Sequence, residues 1–118
     1  MLVGGTEDEI SDMQKLAESL GVSARVVLVP YVPPTRIPLY ARACNMLAYV
    51  PEDVHTPFHT RETSPMKLFE YAAARKPIIV SDTPPVRGVF DETSCTFIEP
   101  GSINSFVSAV LEVSSSPD

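Results

Sequence analysis

Arg61-Glu62-Thr63-Ser64-Pro65-Met66-Lys67-Leu68-Phe69-Glu70-Tyr71-Ala72-Ala73-Ala74-Arg75-Lys76-Pro77-Ile78-Ile79-Val80-Ser81-Asp82 is the stretch that decides the fold. The Ser64 hydroxyl is a good acceptor for the free amides of a helix start, and Pro65 has the fixed φ of a first helical residue. A helix is therefore predicted from here to about Arg75, where Pro77 prevents its continuation. Ile78-Ile79-Val80 is short and β-branched, and it runs into Ser81-Asp82-Thr83-Pro84-Pro85, the pattern of a buried strand emptying into a turn. Glu62 then lies in a loop ahead of the helix and Glu70 inside it.

Outward from this unit, strands and helices alternate. Thr6-Glu7-Asp8-Glu9 reads as a capping box, and Ile10, Met13, Leu16, Ala17 and Leu20 form an apolar stripe ending at Gly21. Val26 to Val29 reads as a strand, Thr35 to Ala43 as a short helix and Met46 to Val50 as the next strand. Beyond the central unit come a weak helical turn around Val86 to Phe90, a strand at Cys95 to Ile98, and a last helix from Ile103 with Phe106, Val107, Val110 and Leu111 on one face. Residues 114–118 are expected to fray. Continuous apolar strands separated by helices predict an α/β fold: a Rossmann-like parallel sheet with helices on both faces.

The 118 residues suffice for one small domain. A net charge of −6 and a pI near 4.8 argue against nucleic acid, which needs a basic stripe to neutralise its backbone. The chain has neither a long apolar run nor the basic start of a signal peptide, so a cytoplasmic setting is expected, with a membrane-surface location left open for a larger parent enzyme. Cys44 and Cys95 sit far apart in apolar surroundings and read as reduced thiols. His55 and His59 flank Pro57 and lack a carboxylate-plus-histidine helix motif, so no metal is expected.

The predicted helix start has chemistry of its own. First-turn amides after Ser64 lack intrahelical acceptors and carry the positive end of the helix dipole, which favours a bound phosphate. Lys67 adds a full charge, and Glu70, about one turn further along, can accept hydrogen bonds from hydroxyls. A phosphorylated sugar or nucleoside fits that layout. Taken singly, Glu70 also reads as a solvated helix glutamate, Glu62 as a loop carboxylate and Lys67 as a solvent-facing lysine.

Glu62 and Glu70 are spaced as E-x7-E. With Ser64-Pro65-x-Lys67-Leu68-Phe69-Glu70-Tyr71 and Lys76-Pro77-Ile78-Ile79-Val80-Ser81-Asp82 around them, the segment resembles the C-terminal domain of family-4-type retaining glycosyltransferases of GT-B architecture. The likeness extends through Leu2-Val3-Gly4-Gly5, Arg25 to Pro33, Leu39 to Cys44 and Phe97 to Gly101. It implies that residues 1–118 are a partial C-terminal donor-binding domain, lacking the first strand and helix of the full domain and the separate N-terminal acceptor domain. It implies a nucleotide diphosphate sugar as partner and transfer of a hexosyl group, with no cofactor.

By that resemblance Glu62 is the catalytic carboxylate facing the donor sugar, Glu70 binds ribose hydroxyls, and Ser64, Met66 and Lys67 meet the phosphates. Pro65 stands where many relatives have glycine, and the upstream basic Arg and Lys are absent. The fragment alone is therefore expected to be inactive, with exposed strand edges open to self-association. Two other readings remain: a non-catalytic α/β regulatory or interaction domain, and a sugar-nucleotide epimerase. A receiver-like module would want an acidic cluster at early strand ends, where Val29-Pro30-Tyr31 and Val50-Pro51 offer none.

Overall fold

The computed structural model of the chain describes residues 1–51 and 66–116. Its elements run β1 (Leu2–Val3), α1 (Glu7–Ser19), β2 (Leu28–Val29), α2 (Ile37–Ala43), β3 (Leu47–Tyr49), α3 (Met66–Ala74), β4 (Ile78–Ser81), α4 (Pro84–Arg87), β5 (Thr96–Ile98) and α5 (Ile103–Ser115), with 3-10 turns at Ser23–Arg25 and Pro34–Arg36. The fold is α/β and Rossmann-like, with parallel pairing throughout and strands joined through helices. It divides into two compact units, residues 1–40 and 41–118.

In the first unit β1 pairs with β2 in the register Leu2↔Leu28 and Val3↔Val29, and α1 makes the crossover. The capping box forms as the sequence requires. The Glu9 amide donates to Thr6 Oγ1 at 3.3 Å and the Thr6 amide donates to Glu9 Oε2 at 2.7 Å. These bonds favour the ionised carboxylate and hold the Glu9 pKa below its ordinary value. At the other end Gly21 adopts φ 69°, while its amide and that of Val22 donate to the carbonyls of Glu18 and Ala17. That pair of bonds is a Schellman stop.

The apolar stripe of α1 behaves differently from its sequence pattern. Only Ala17 is buried, while Met13, Leu16 and Leu20 are exposed. Two two-residue strands offer one helix too little surface to cover a full stripe. β2 is also shorter than the apolar run suggests, because Ser23–Arg25 coil into a 3-10 turn just before it.

The second unit holds the core. β4 lies between β3 and β5, in the registers Leu47↔Ile78, Tyr49↔Val80, Ile79↔Thr96 and Ser81↔Ile98. All four of its residues are buried. On one face Ile78 and Val80 pack with Leu68 of α3, Val86 of α4 and Cys95. On the other, Ile79 and Ile98 pack with Ala109, Phe106, Val110 and Val113 of α5. Period-two alternation thus sends neighbouring β4 side chains to opposite layers of helix, which is why the strand is apolar without a break.

Three details correct the sequence reading. Pro84 and Pro85 are not a rigid turn; they open α4 behind Thr83, since proline suits a first helical turn where its missing amide is not needed. The buried face of α5 is Phe106, Ala109, Val110 and Val113, whereas Val107 and Leu111 are exposed. The small Ala109 lets the helix approach the sheet, and the face is rotated accordingly. α5 continues through Ser115, where the Ser114 and Ser115 hydroxyls donate back to the Val110 and Glu112 carbonyls. Neither Cys44 nor Cys95 is in a disulfide. Among the described residues no helix is long and apolar enough to cross a membrane.

Candidate functional site

The helix singled out by the sequence, α3, is anchored from one side. Leu68 has no exposed surface and lies at the centre of the first core cluster, with Tyr71 packed beside it. Phe69 meets Phe90 with ring centroids 5.6 Å apart and planes tilted by 46°. Arg75 closes the helix at φ 55°, a left-handed conformation that Pro77 then prevents from returning to helix. Burial pushes the Tyr71 phenol pKa up, and Glu70, Cys44 and Tyr49 add in the same direction, so this ring remains neutral at physiological pH.

With Leu68 and Tyr71 facing the core, Met66, Lys67 and Glu70 share the opposite face, within an arc of about 100°. All three are exposed. Met66 and Glu70 are about 6 Å apart along the axis, so a single ligand can span the helix start and the carboxylate. Among the described residues neither Lys67 nor Glu70 has a hydrogen-bond or ion-pair partner. A cation and a carboxylate set on one rigid face and left uncommitted can donate to an anion and accept from hydroxyls in the same ligand. Glu62 and Ser64 lie outside the described residues, as do His55 and His59. Among the described residues no group of three or more His, Cys, Asp or Glu side chains could hold a metal ion.

A second charged constellation, not singled out by the sequence reading, is built on Arg87. Its Nε and Nη2 donate to the two carboxylate oxygens of Asp82, each at 2.8 Å, while Nη1 donates to Glu92. The guanidinium lies 3.7 Å over the Phe97 ring. These contacts hold the Asp82 and Glu92 pKa values below their ordinary range and raise that of Arg87. The signal in the sequence was the spacing of Asp82, Arg87 and Glu92 at five-residue intervals across a helical turn.

That cluster borders a cavity of about 710 Å³ beside β5, lined also by Phe97, Glu99 and Glu112. Four carboxylates face it, and its one cation is already committed. A diphosphate would meet repulsion there, so this cavity is a poor match for the ligand chemistry of α3. A smaller cavity, about 220 Å³, lies at the C-terminal ends of β3, β4 and β5, next to the start of α5. In open parallel sheets ligands bind at that end of the strands.

Comparison with known families accords with the order of these elements. The whole chain, residues 1–118, matches the family described as glycosyl transferases group 1. No curated protein and no solved structure gives a significant match. The chain belongs to the group 1 glycosyltransferases.

Proposed function

We propose that this chain is the donor-binding part of a retaining glycosyltransferase of GT-B architecture and hexosyltransferase type. The observation that carries the reading is the uncommitted pair of Lys67 and Glu70 on one exposed face of α3, at the C-terminal side of β3 and ahead of β4. In the bound state the first amides of α3 and the Lys67 ammonium meet the diphosphate, and Glu70 accepts from the ribose hydroxyls. In this reading Ser64 and the Met66 amide also meet the phosphates. Glu62 stands towards the sugar, where its negative charge orients the ring and stabilises positive charge as the anomeric carbon–phosphate oxygen bond breaks. A new bond forms from the anomeric carbon to an acceptor hydroxyl oxygen, and that hydroxyl's proton leaves with the nucleoside diphosphate.

The acceptor site belongs to a separate N-terminal domain in this reading, and residues 1–118 do not turn over alone. Against a regulatory or interaction module stands the same pair: such a module does not require a cation and a carboxylate left free one turn apart. The test is an amide chemical-shift titration of the 118-residue chain with uridine, guanosine and adenosine diphosphates. Shifts centred on Met66, Lys67 and Glu70, saturating in the millimolar range and lost in Lys67→Ala, support the reading. Shifts elsewhere with α3 silent refute it. In the two-domain enzyme, Glu70→Ala chiefly raises the donor KM, whereas Glu62→Ala chiefly lowers kcat.

A further inference from the structure

β5 has a neighbour on one side only. β4 pairs with it, and among the described residues no strand pairs with its other side. The Asp82 amide donates to the Ile98 carbonyl at 2.9 Å, so Ile98 turns its backbone groups towards β4. Successive residues of a strand turn theirs to opposite sides, and Phe97 therefore points its amide and carbonyl away from the sheet. Among the described residues neither group has a hydrogen-bond partner. The ends of the strand are tied down: the Cys95 amide donates to the Asp91 carbonyl at 3.0 Å and the Glu99 amide to Ser105 Oγ at 3.1 Å. What is left is an open backbone station in the middle of a sheet edge.

The 710 Å³ cavity runs along this edge. Every residue from Cys95 to Pro100 lines it, with Arg87 and Glu92 on the Phe97 face of the sheet and Glu112 on the face that α5 covers. β4 itself lines none of it; Asp82, just past the end of β4, does. An extended segment laid in the cavity would have the Phe97 amide and carbonyl near its middle. The charge of the walls is one-sided. Asp82, Glu92, Glu99 and Glu112 set four carboxylates against one guanidinium, a net of −3, and Arg87 is already committed to Asp82 and Glu92. Among the described residues Glu99 and Glu112 have no cationic partner.

We propose that the free edge of β5 is a docking site for a basic, extended peptide segment that joins the sheet as an added strand. The segment's backbone donates to the Phe97 carbonyl and accepts from the Phe97 amide, and its lysine or arginine side chains reach Glu99 and Glu112. A second copy of this chain is a poor occupant. The chain carries a net charge of −6, and two β5 edges brought together would set Glu99 and Glu112 against their own copies. Nucleic acid and anionic membranes are repelled for the same reason. The carboxylates thus exclude strands of like charge while attracting one of opposite charge, and the open station at Phe97 turns that attraction into a fixed register. The edge shares no residue with the Lys67 and Glu70 face of α3, so it stands or falls independently of the donor reading.

The experiment combines amide hydrogen exchange with a chemical-shift titration of the 118-residue chain by a capped peptide of alternating lysine and valine. Without peptide the Phe97 amide should exchange freely and the Ile98 amide, which faces β4, slowly. At saturation the Phe97 exchange rate should fall about tenfold or more, with shifts centred on residues 95–99. The same peptide with glutamate in place of lysine should not bind. A lysine peptide N-methylated at every amide keeps its charge but cannot pair as a strand, and should bind about tenfold more weakly, the effect of the lost backbone bonds. Glu99 and Glu112 are exposed, so Glu99→Gln and Glu112→Gln leave the fold intact; each should weaken binding by about two- to fivefold. A Phe97 amide already protected in the free chain, a methylated peptide that binds as tightly as its parent, or no saturable binding of the lysine peptide would overturn the proposal.

Discussion

Truncation of Leu68 to alanine tests the frame on which the α3 site stands. The side chain has no exposed surface and touches both the β4 layer and α4. Removing three buried carbons forfeits about 2.4 kcal/mol at about 0.8 kcal/mol each. Its neighbours Ile78, Val80 and Val86 are held by strand and helix and can close the gap only in part. A residual cavity raises the expected loss to about 3–4 kcal/mol, within the span found for buried leucines. A domain of this size has only about 5–15 kcal/mol in hand, so the loss is a large fraction of its stability. Urea unfolding followed by far-ultraviolet circular dichroism should show a midpoint lowered by about 2 M, for a slope of about 1.5–2 kcal/mol/M. Glu70→Ala, on the exposed face of the same helix, should stay within about 0.5 kcal/mol of wild type. A Leu68→Ala penalty below about 1 kcal/mol would mean that α3 is not anchored through this residue, and the fixed geometry of Lys67 and Glu70 would lose its basis.

Three further outcomes are expected. Thr6→Ala removes the side-chain half of the α1 capping box and should lower stability by about 1 kcal/mol, measured by the same urea titration. Arg87→Met removes the cation that depresses the Asp82 and Glu92 pKa values. Depressed carboxylates contribute stability that is present above their unfolded values and lost as pH falls through the folded ones. The wild type should therefore lose stability more steeply than the variant below the ordinary Asp value of 3.8, and parallel acid curves would refute the pairing. Arg75→Gly relieves a left-handed backbone that favours glycine; a gain of up to about 1 kcal/mol is expected, since lost unfolded-state restriction offsets part of the relief.

The central strand and the helix before it were legible because each is bounded by residues with a single mechanical meaning. Pro77 separates them, and an unbroken β-branched run can be stable only with both faces covered. The boundary of α4 was harder to see, since a Pro-Pro pair suits a turn and a first helical turn alike, and only the packing of Val86 decides between them. The buried face of α5 turned on Ala109, whose small size looked uninformative in the sequence but sets how closely the helix meets the sheet. The stripe on α1 was legible as helical but is mostly exposed, because periodicity reports the shape of an element and not what lies against it.

For the site, Lys67 and Glu70 were singled out from their place near a predicted helix start and Met66 from the family resemblance; the structure places all three, exposed, on α3. Ser81 passed unnoticed as the polar end of an apolar run. Its shared face with Ile79 was implicit in the alternation, but its burial at the end of the strand is a three-dimensional fact. Glu62 and Ser64 lie outside the described residues.

The register Leu47↔Ile78 joins residues about 30 positions apart, whereas Ile79↔Thr96 joins residues about 17 apart. The entropy of bringing chain ends together grows only with the logarithm of the intervening length, about 0.6 kcal/mol for each doubling. Hairpin-like economy is unavailable to parallel strands, so the shorter β4–β5 crossover is the better seed for folding, and the β3 pairing follows it.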